Sequence, residues 1–221
     1  MRNLFILGLM LAFFASCNKK EVTTTPIEDP VVVFNYLPMK TGNYWVYRHY
    51  DIDTIGNILQ VAETPVTDSV VITGDTLING NRYFIFEGTN RPFMPDWGIV
   101  DLLRDSSGYI VNAQGIIKFS KDNFSSILAS KTEVIEGDTL YTLSYRMEDP
   151  DSVLTVPAGS FGVLKYKGTL KTAMNLPGIP NPRYLNTFYA DNVGRIIDTY
   201  FYLNTSTVNE RRLIRYKVDM E

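Results

Sequence analysis

Cysteine is almost missing from this chain of 221 residues; the one thiol is Cys17. An internal disulfide is therefore excluded, and so is any zinc site built on cysteine pairs. Histidine is equally scarce. His49 stands alone, which removes two-histidine metal sites and leaves one candidate base for Ser-His-Asp chemistry. Positive charge is not in excess, with 21 Lys and Arg against 24 Asp and Glu, and a nucleic-acid surface needs clustered cations. The densest basic group, Arg211, Arg212, Arg215 and Lys217, follows strand alternation with Glu210 and Asp219 beside it. It reads as the solvated face of a last strand. Long apolar runs are also missing apart from Leu4 to Ala15, and those twelve residues fall short of a membrane span, which needs about 20. No nucleophile elbow is present either. Gly159-Ser160-Phe161-Gly162 is preceded by Ala158 and followed by a strand pattern, whereas the elbow needs Gly-x-Ser-x-Gly leading into a helix.

What is present starts at the N-terminus. Arg2, the apolar run, and then Ala15-Ser16-Cys17 form a charged n-region, an h-region and a small-residue cleavage site. The arrangement resembles a bacterial lipoprotein signal with its lipid-accepting cysteine, and departs from the usual lipobox at Phe14. The resemblance implies removal of residues 1–16, acylation of Cys17 and a bacterial outer-membrane location, with the membrane as partner through the anchor. Two or more acyl chains hold a protein firmly, at about 0.8 kcal/mol per buried CH₂. Asn18-Lys19-Lys20-Glu21 resembles the export signals of some Bacteroidota surface lipoproteins; display at the cell surface and at the periplasmic face both remain open. Residues 17–30, with Pro26 and Pro30 in a Thr-rich acidic stretch, read as the acylated Cys and a flexible tether, and residues 31–221 as one domain. Loss of the leader, whose only charge is Arg2, leaves a net charge of −4.

Within the domain the hydrophobic period is two. Trp45, Tyr47 and His49 fall on one face of a first strand. Asn79-Gly80 between Thr76 to Ile78 and Arg82 to Phe86 is the strongest hairpin signal. Val163 to Lys171 sets Leu164, Tyr166 and Leu170 opposite Lys165, Lys167 and Lys171, a strand with one wet face. Turns are expected at Thr54 to Asn57, Gly74-Asp75 and Asp149-Pro150-Asp151, and a loop at Gly88 to Gly98. Asn123 to Ser130 is ambiguous, with one or two helical turns as its reading. Met174 to Arg183, with Pro177, Pro180 and Pro182, is excluded from regular structure. About a dozen short strands result. The expected class is all-β, a single antiparallel domain in the form of a curled half-barrel or a sandwich.

Three blocks carry a further resemblance. Tyr36-Leu37-Pro38 with Gly42 and Tyr44-Trp45-Val46-Tyr47, then Val156-Pro157-Ala158-Gly159-Ser160-Phe161, then Tyr189-Ala190 with Val193-Gly194, are similar to segments of Bacteroidota cell-envelope lipoproteins. Some of those resemble half-barrel lipoprotein carriers in which a curved sheet wraps an apolar groove, which implies a lipid or other hydrophobic ligand. Read residue by residue, the blocks are structural: Pro157 presets a bend, Phe161 returns to the core, and Trp45 and Tyr47 bury large area.

Candidate chemistry is thin. His49 reads as a sheet-face histidine beside Trp45 and Tyr47. Asp96, Asp101, Glu148, Asp149 and Asp151 are available for the paired carboxylates of glycoside hydrolysis, but most Asp residues fall in turns, where they bond local backbone. Glu148-Asp149-Pro150-Asp151 lacks calcium-loop spacing. Trp97, in the loop Pro95-Asp96-Trp97-Gly98, is the best single candidate for ligand contact, by stacking on a sugar face; plugging the sheet's end is the plainer role. Asp53-Thr54-Ile55, Asp68-Ser69-Val70, Asp75-Thr76-Leu77, Asp138-Thr139-Leu140 and Asp151-Ser152-Val153 resemble Bacteroidota O-glycosylation acceptors, and each also reads as a turn Asp entering a strand. The expectation is a non-catalytic binding module for a partner protein, a glycan or a hydrophobic molecule. It has no cofactor, no catalytic residue, no metal and no nucleic-acid partner. A half-barrel carrier of lipid or lipoprotein, with Met174 to Pro182 as a lid, and a polysaccharide-acting hydrolase are the alternatives.

Overall fold

The structure is a computed structural model and describes residues 35–55, 58–89, 98–174 and 176–219. The chain divides into Met1–Val33, which holds the leader, Cys17 and the tether and lies outside those residues, and Phe34–Glu221. Trp97 and Asp96 also lie outside the described residues.

Twelve strands follow in order: β1 (Tyr44–Ile55), β2 (Ile58–Ile78), β3 (Asn81–Gly88), β4 (Gly98–Ser106), β5 (Tyr109–Asn112), β6 (Ile117–Ser120), β7 (Ala129–Ile135), β8 (Asp138–Val156), β9 (Gly159–Thr172), β10 (Arg183–Ala190), β11 (Gly194–Tyr200) and β12 (Val208–Lys217). They form one antiparallel sheet in the order β6-β5-β4-β3-β2-β1-β12-β11-β10-β9-β8-β7. The chain meanders outward from β1 to β6, crosses, and returns from β7 to β12, which pairs with β1. The two halves therefore meet along the pair formed by the first and last strands.

The all-β expectation holds, and of its two forms the curled sheet is the one observed. Eight of the eleven strand pairings carry a register shift. Each bulge bends its strand and adds right-handed twist, so the long strands wrap round their own concave face. The outer edge of β6 meets the far side of the curl through side chains instead of a strand. The Tyr166 hydroxyl donates to the Ile117 carbonyl at 2.6 Å, and that of Tyr189 to the Lys118 carbonyl at 3.3 Å. The Ser120 N–H meets Met147 Sδ at 3.4 Å. Backbone groups that an open edge would leave to solvent are thereby satisfied.

Asn79 and Gly80 both take positive φ, 52° and 78°, and close the β2–β3 hairpin as the sequence requires. In β9, Leu164, Tyr166 and Leu170 are buried while Lys165, Lys167 and Lys171 are partly or fully exposed, as alternation predicts.

Three local expectations are corrected. Gly74-Asp75 does not end a strand; β2 continues to Ile78, with Thr73 as the extra residue of a register shift and Gly74 paired to Ile85. Asp149-Pro150-Asp151 is not a turn. It lies inside β8, where pairing lapses between Glu148 and Ser152, so Pro150 has no ladder bond to lose. Asn123 to Ser130 contains no helix, only bends leading into β7.

Apolar side chains fill one end of the concave face, among them Trp45, Ile72, Phe86, Leu103, Phe119 and Leu213. Along β1 the inward residues run from Trp45 through Tyr47 to His49, and with His49 the lining turns polar.

Candidate functional site

The polar lining is assembled by bulges. Opposite β1, Tyr47 pairs with Leu213 but Val46 pairs with Arg215, so Ile214 is an extra residue. That insertion turns Arg211 and Leu213 inward while Arg215 and Lys217 stay outside. The basic cluster is thus not one solvated face, because a single bulge reverses the alternation. A second bulge sits in β11. Tyr189 pairs with Arg195 and Phe188 with Ile197, so Ile196 is extra and Arg195 shares a face with Asp198.

The inward groups form a chain of contacts. His49 Nε2 lies 2.7 Å from Asp68 Oδ2, and His49 Nδ1 lies 3.1 Å from the Tyr200 hydroxyl. Since a carboxylate only accepts, Nε2 carries the hydrogen toward Asp68 and Nδ1 accepts from Tyr200. Arg211 Nη2 donates to Asp68 Oδ1 at 2.6 Å, and its Nη1 is 3.7 Å from Asp198 Oδ2. The Arg211 guanidinium also lies 4.4 Å above the Tyr47 ring. Asp198 accepts in addition from Thr187 Oγ1 at 2.8 Å. The side chains of His49 and Asp68 are each 2% exposed and that of Arg211 5%, so the Arg211–Asp68 ion pair and the His49 hydrogen bonds form one buried network. The sheet-face reading of His49 stands, and the face is the concave one.

Burial pushes the Tyr47 phenol well above its ordinary range, against the pull of Arg211 and Arg195. Burial raises Tyr166 and Tyr189 as well, and takes Tyr200 to about 12. These phenols stay protonated and act as donors. Arg195 is different. Burial opposes its charge, but Tyr189, Asp198, Asp101 and Tyr47 outweigh that and hold its pKa above the ordinary guanidinium value. Its Nε is enclosed and has no hydrogen-bond partner, and among the described residues no carboxylate forms an ion pair with it.

These groups border a cavity of about 280 Å³, whose lining includes Asp101, Lys118, Tyr189, Arg195, Asp198 and Arg211. Tyr145 and Tyr166, stacked at 4.8 Å, line it too. Gly168 makes the stack possible, since a Cβ there would lie 2.5 Å from the Tyr145 ring. A second, more open hollow of about 540 Å³ is bordered by Tyr36, Phe161, Val163, Leu164 and Ala190 with a few polar groups. It is the larger, but it gathers no cluster of charges; the first hollow brings opposed charges and hydroxyls to one point, which is what recognition chemistry needs.

Of the carboxylates considered from sequence, Asp101 reaches the cavity. Glu148 is paired with Arg146 at 2.6 Å and Lys167 at 3.0 Å. Burial would raise its pKa, but those two cations hold it below the ordinary value. Asp68, read as the start of a modification triplet, is instead the buried partner of His49 and Arg211. Among the other triplets Thr54 and Thr139 are exposed, and the Ser152 hydroxyl is enclosed. The loop Met174 to Pro182 lines neither hollow in its described residues. It is pinned to the end of β9 by Asn181, which accepts from the Thr172 N–H at 3.2 Å and donates to its carbonyl at 2.9 Å. Arg195 and Asp198 were missed. Their signal was a pair of opposite charges on a strand otherwise rich in buried residues, spaced by three and so out of phase with simple alternation.

The three resemblance blocks converge. Trp45 Nε1 donates to the Val193 carbonyl at 2.6 Å, and a Cβ on Gly194 would lie 3.1 Å from Trp45 Nε1 and 3.3 Å from Leu37. The Ala158 N–H donates to Leu213 O at 3.1 Å, and Phe161 shares the second hollow with Tyr36 and Ala190. Together they cap the apolar end of the curl.

The fold and site define a class: a curled, open antiparallel sheet with a charged and hydroxyl-rich interior. No protein-family model matches the chain, and no curated protein matches it. Among solved structures it is similar to a candidate lipoprotein of Parabacteroides distasonis, with 14% identity, a TM-score of 0.39, and coverage of 84% of this chain and 100% of the other. It is also similar to a candidate exported protein of Bacteroides fragilis with a YmcC-like fold, with 12% identity, a TM-score of 0.42 and the same coverage.

Proposed function

We propose that this chain is a lipid-anchored protein of the bacterial outer membrane and a non-catalytic binding module whose ligand is small, polar and held inside the curled sheet. The location rests on Arg2, the run Leu4 to Ala15 and Cys17 after Ala15-Ser16. The binding role rests on one observation. The concave face gathers Arg195, Arg211, Asp101 and Asp198 around a cavity of about 280 Å³ where apolar side chains would pack more cheaply. Arg211 is buried and the other three are half-buried, and charges gathered in a cleft in this way mark a candidate site.

Two other readings each have an observation in their favour. The open hollow beside Tyr36 and Phe161 favours a carrier of hydrophobic molecules. Asp101 and Asp198 in one cavity favour a polysaccharide-acting hydrolase. Native mass spectrometry of the mature protein, extracted gently from its own membrane, separates them. A small polar adduct lost on refolding is the expected result, and an adduct of lipid mass would replace this reading with the carrier. Release of reducing sugar from polysaccharide, abolished by D198N, would replace it with the hydrolase. The same spectrum carries the acyl mass on Cys17, and an unmodified thiol would remove the anchor. Protease shaving of intact cells distinguishes the two membrane faces.

A further inference from the structure

The cavity's hydrogen-bonding capacity is unevenly divided. The Tyr166 and Tyr189 hydroxyl protons go to the carbonyls of Ile117 and Lys118, and that of Thr187 goes to Asp198. The Tyr200 hydroxyl is engaged with His49 Nδ1. The Tyr166 and Thr187 hydroxyls still offer oxygen lone pairs, and Asp101 and Asp198 add carboxylate oxygens. The cavity wall is thus rich in acceptors and asks for a ligand with several donors.

The positive side is different. Arg211 is committed to Asp68. Arg195 borders the same space, and among the described residues no carboxylate is in ion-pair contact with it, Asp198 and Asp101 acting on its charge from a distance. A guanidinium offers five donors in a planar fork that matches a carboxylate or phosphate. A doubly charged group would set its second charge against Asp101 and Asp198, so a single negative charge fits best.

We propose that the cavity takes a small molecule carrying one carboxylate and several hydroxyl groups, the chemistry of a sugar acid, with its carboxylate on the Arg195 guanidinium and its hydroxyls donating to Asp101, Asp198 and the Tyr166 oxygen. This names the ligand class for the binding role above and rests on that role. The carboxylate gives Arg195 a directly bonded partner, where Asp198 and Asp101 act on its charge only from a distance. A free sugar acid and a sugar-acid residue at the end of a glycan share this chemistry.

The test is isothermal titration of the full mature protein, in detergent, with D-glucuronate and D-galacturonate against D-glucose, D-galactose, L-glutamate and inorganic phosphate. An oligosaccharide ending in either acid separates the two sources. The expected result is that at least one sugar acid binds about tenfold or more tightly than its neutral parent, as one charged hydrogen-bonding pair confers. R195Q should remove that preference. R195K, which keeps the charge and loses the fork, should lie between R195Q and the natural protein. It serves as the second variant if R195Q does not fold. Equal affinity for acid and neutral sugar, tighter binding of phosphate or glutamate, or a preference untouched by both variants would overturn the inference. Binding of neutral sugars alone would overturn it and leave the binding role standing. No binding to any probe, together with an extracted protein of bare mass, would overturn both.

Discussion

Asp68 holds two cationic or donor groups at once, His49 on one oxygen and Arg211 on the other. Removing it leaves a buried guanidinium with only the longer contact to Asp198. D68A should cost about 3–5 kcal/mol of stability, measured by denaturant unfolding, whereas D68A combined with R211M should recover part of that loss because no uncompensated charge remains. The tyrosines set a pH limit. Burial raises the folded-state pKa of Tyr47 and Tyr189, so the unfolded chain gives up its phenol protons first, near pH 10. Their contribution is complete below that pH and is lost as pH rises toward the folded values. Each should lower stability by about 1.4 kcal/mol per pH unit above pH 10. Denaturation midpoints at pH 8 and pH 11 check this, with Y47F and Y189F flattening the fall.

The strands depend on contacts made far away in sequence. Arg183 at the start of β10 donates through Nη1 to the carbonyls of Tyr202 and Thr205 at 2.7 Å each, and through Nη2 to those of Ser206 and Thr207 at 3.3 and 3.0 Å. Its guanidinium stacks 3.7 Å from the Phe201 ring. One side chain thus organises the whole β11–β12 connection, and R183M should lower protection from hydrogen exchange selectively across residues 201–208 while costing about 2–4 kcal/mol. At the edge of β6, Y166F removes the donor to Ile117 and leaves a carbonyl wanting. A loss of about 1–3 kcal/mol is expected, with faster exchange along β5 and β6. Gly194 tests the convergence of the three blocks. Its φ is 103° and a Cβ would press on Trp45 and Leu37, so G194A should destabilise by about 2 kcal/mol or more and shift the tryptophan fluorescence.

Within Phe34–Glu221 the described residues form a sheet bent until its first half leans side chains on its second, with an apolar end capped by the three blocks and a charged end holding the cavity. Much of this was written in the order of residues. The twofold period, the Asn79-Gly80 turn, the wet face of β9 and the inward row Trp45, Tyr47, His49 are local consequences of alternation and turn chemistry, and they sit where the chain says. The leader pattern ahead of Cys17 lies outside the described residues and is legible only as a linear stretch. The partners of Asp68, the inward turn of Arg211 and the meeting of Arg195 with Asp198 could not be read that way. Each depends on a bulge, which adds a residue to one strand relative to another and exists only as a relation between strands. Alternation counted along β12 placed Arg211 with Arg215 and Lys217, and the extra Ile214 separates them. A single chain carries its own period; which of two neighbouring strands yields a residue to the curl is decided when they pair, and the cavity's charge is decided with it.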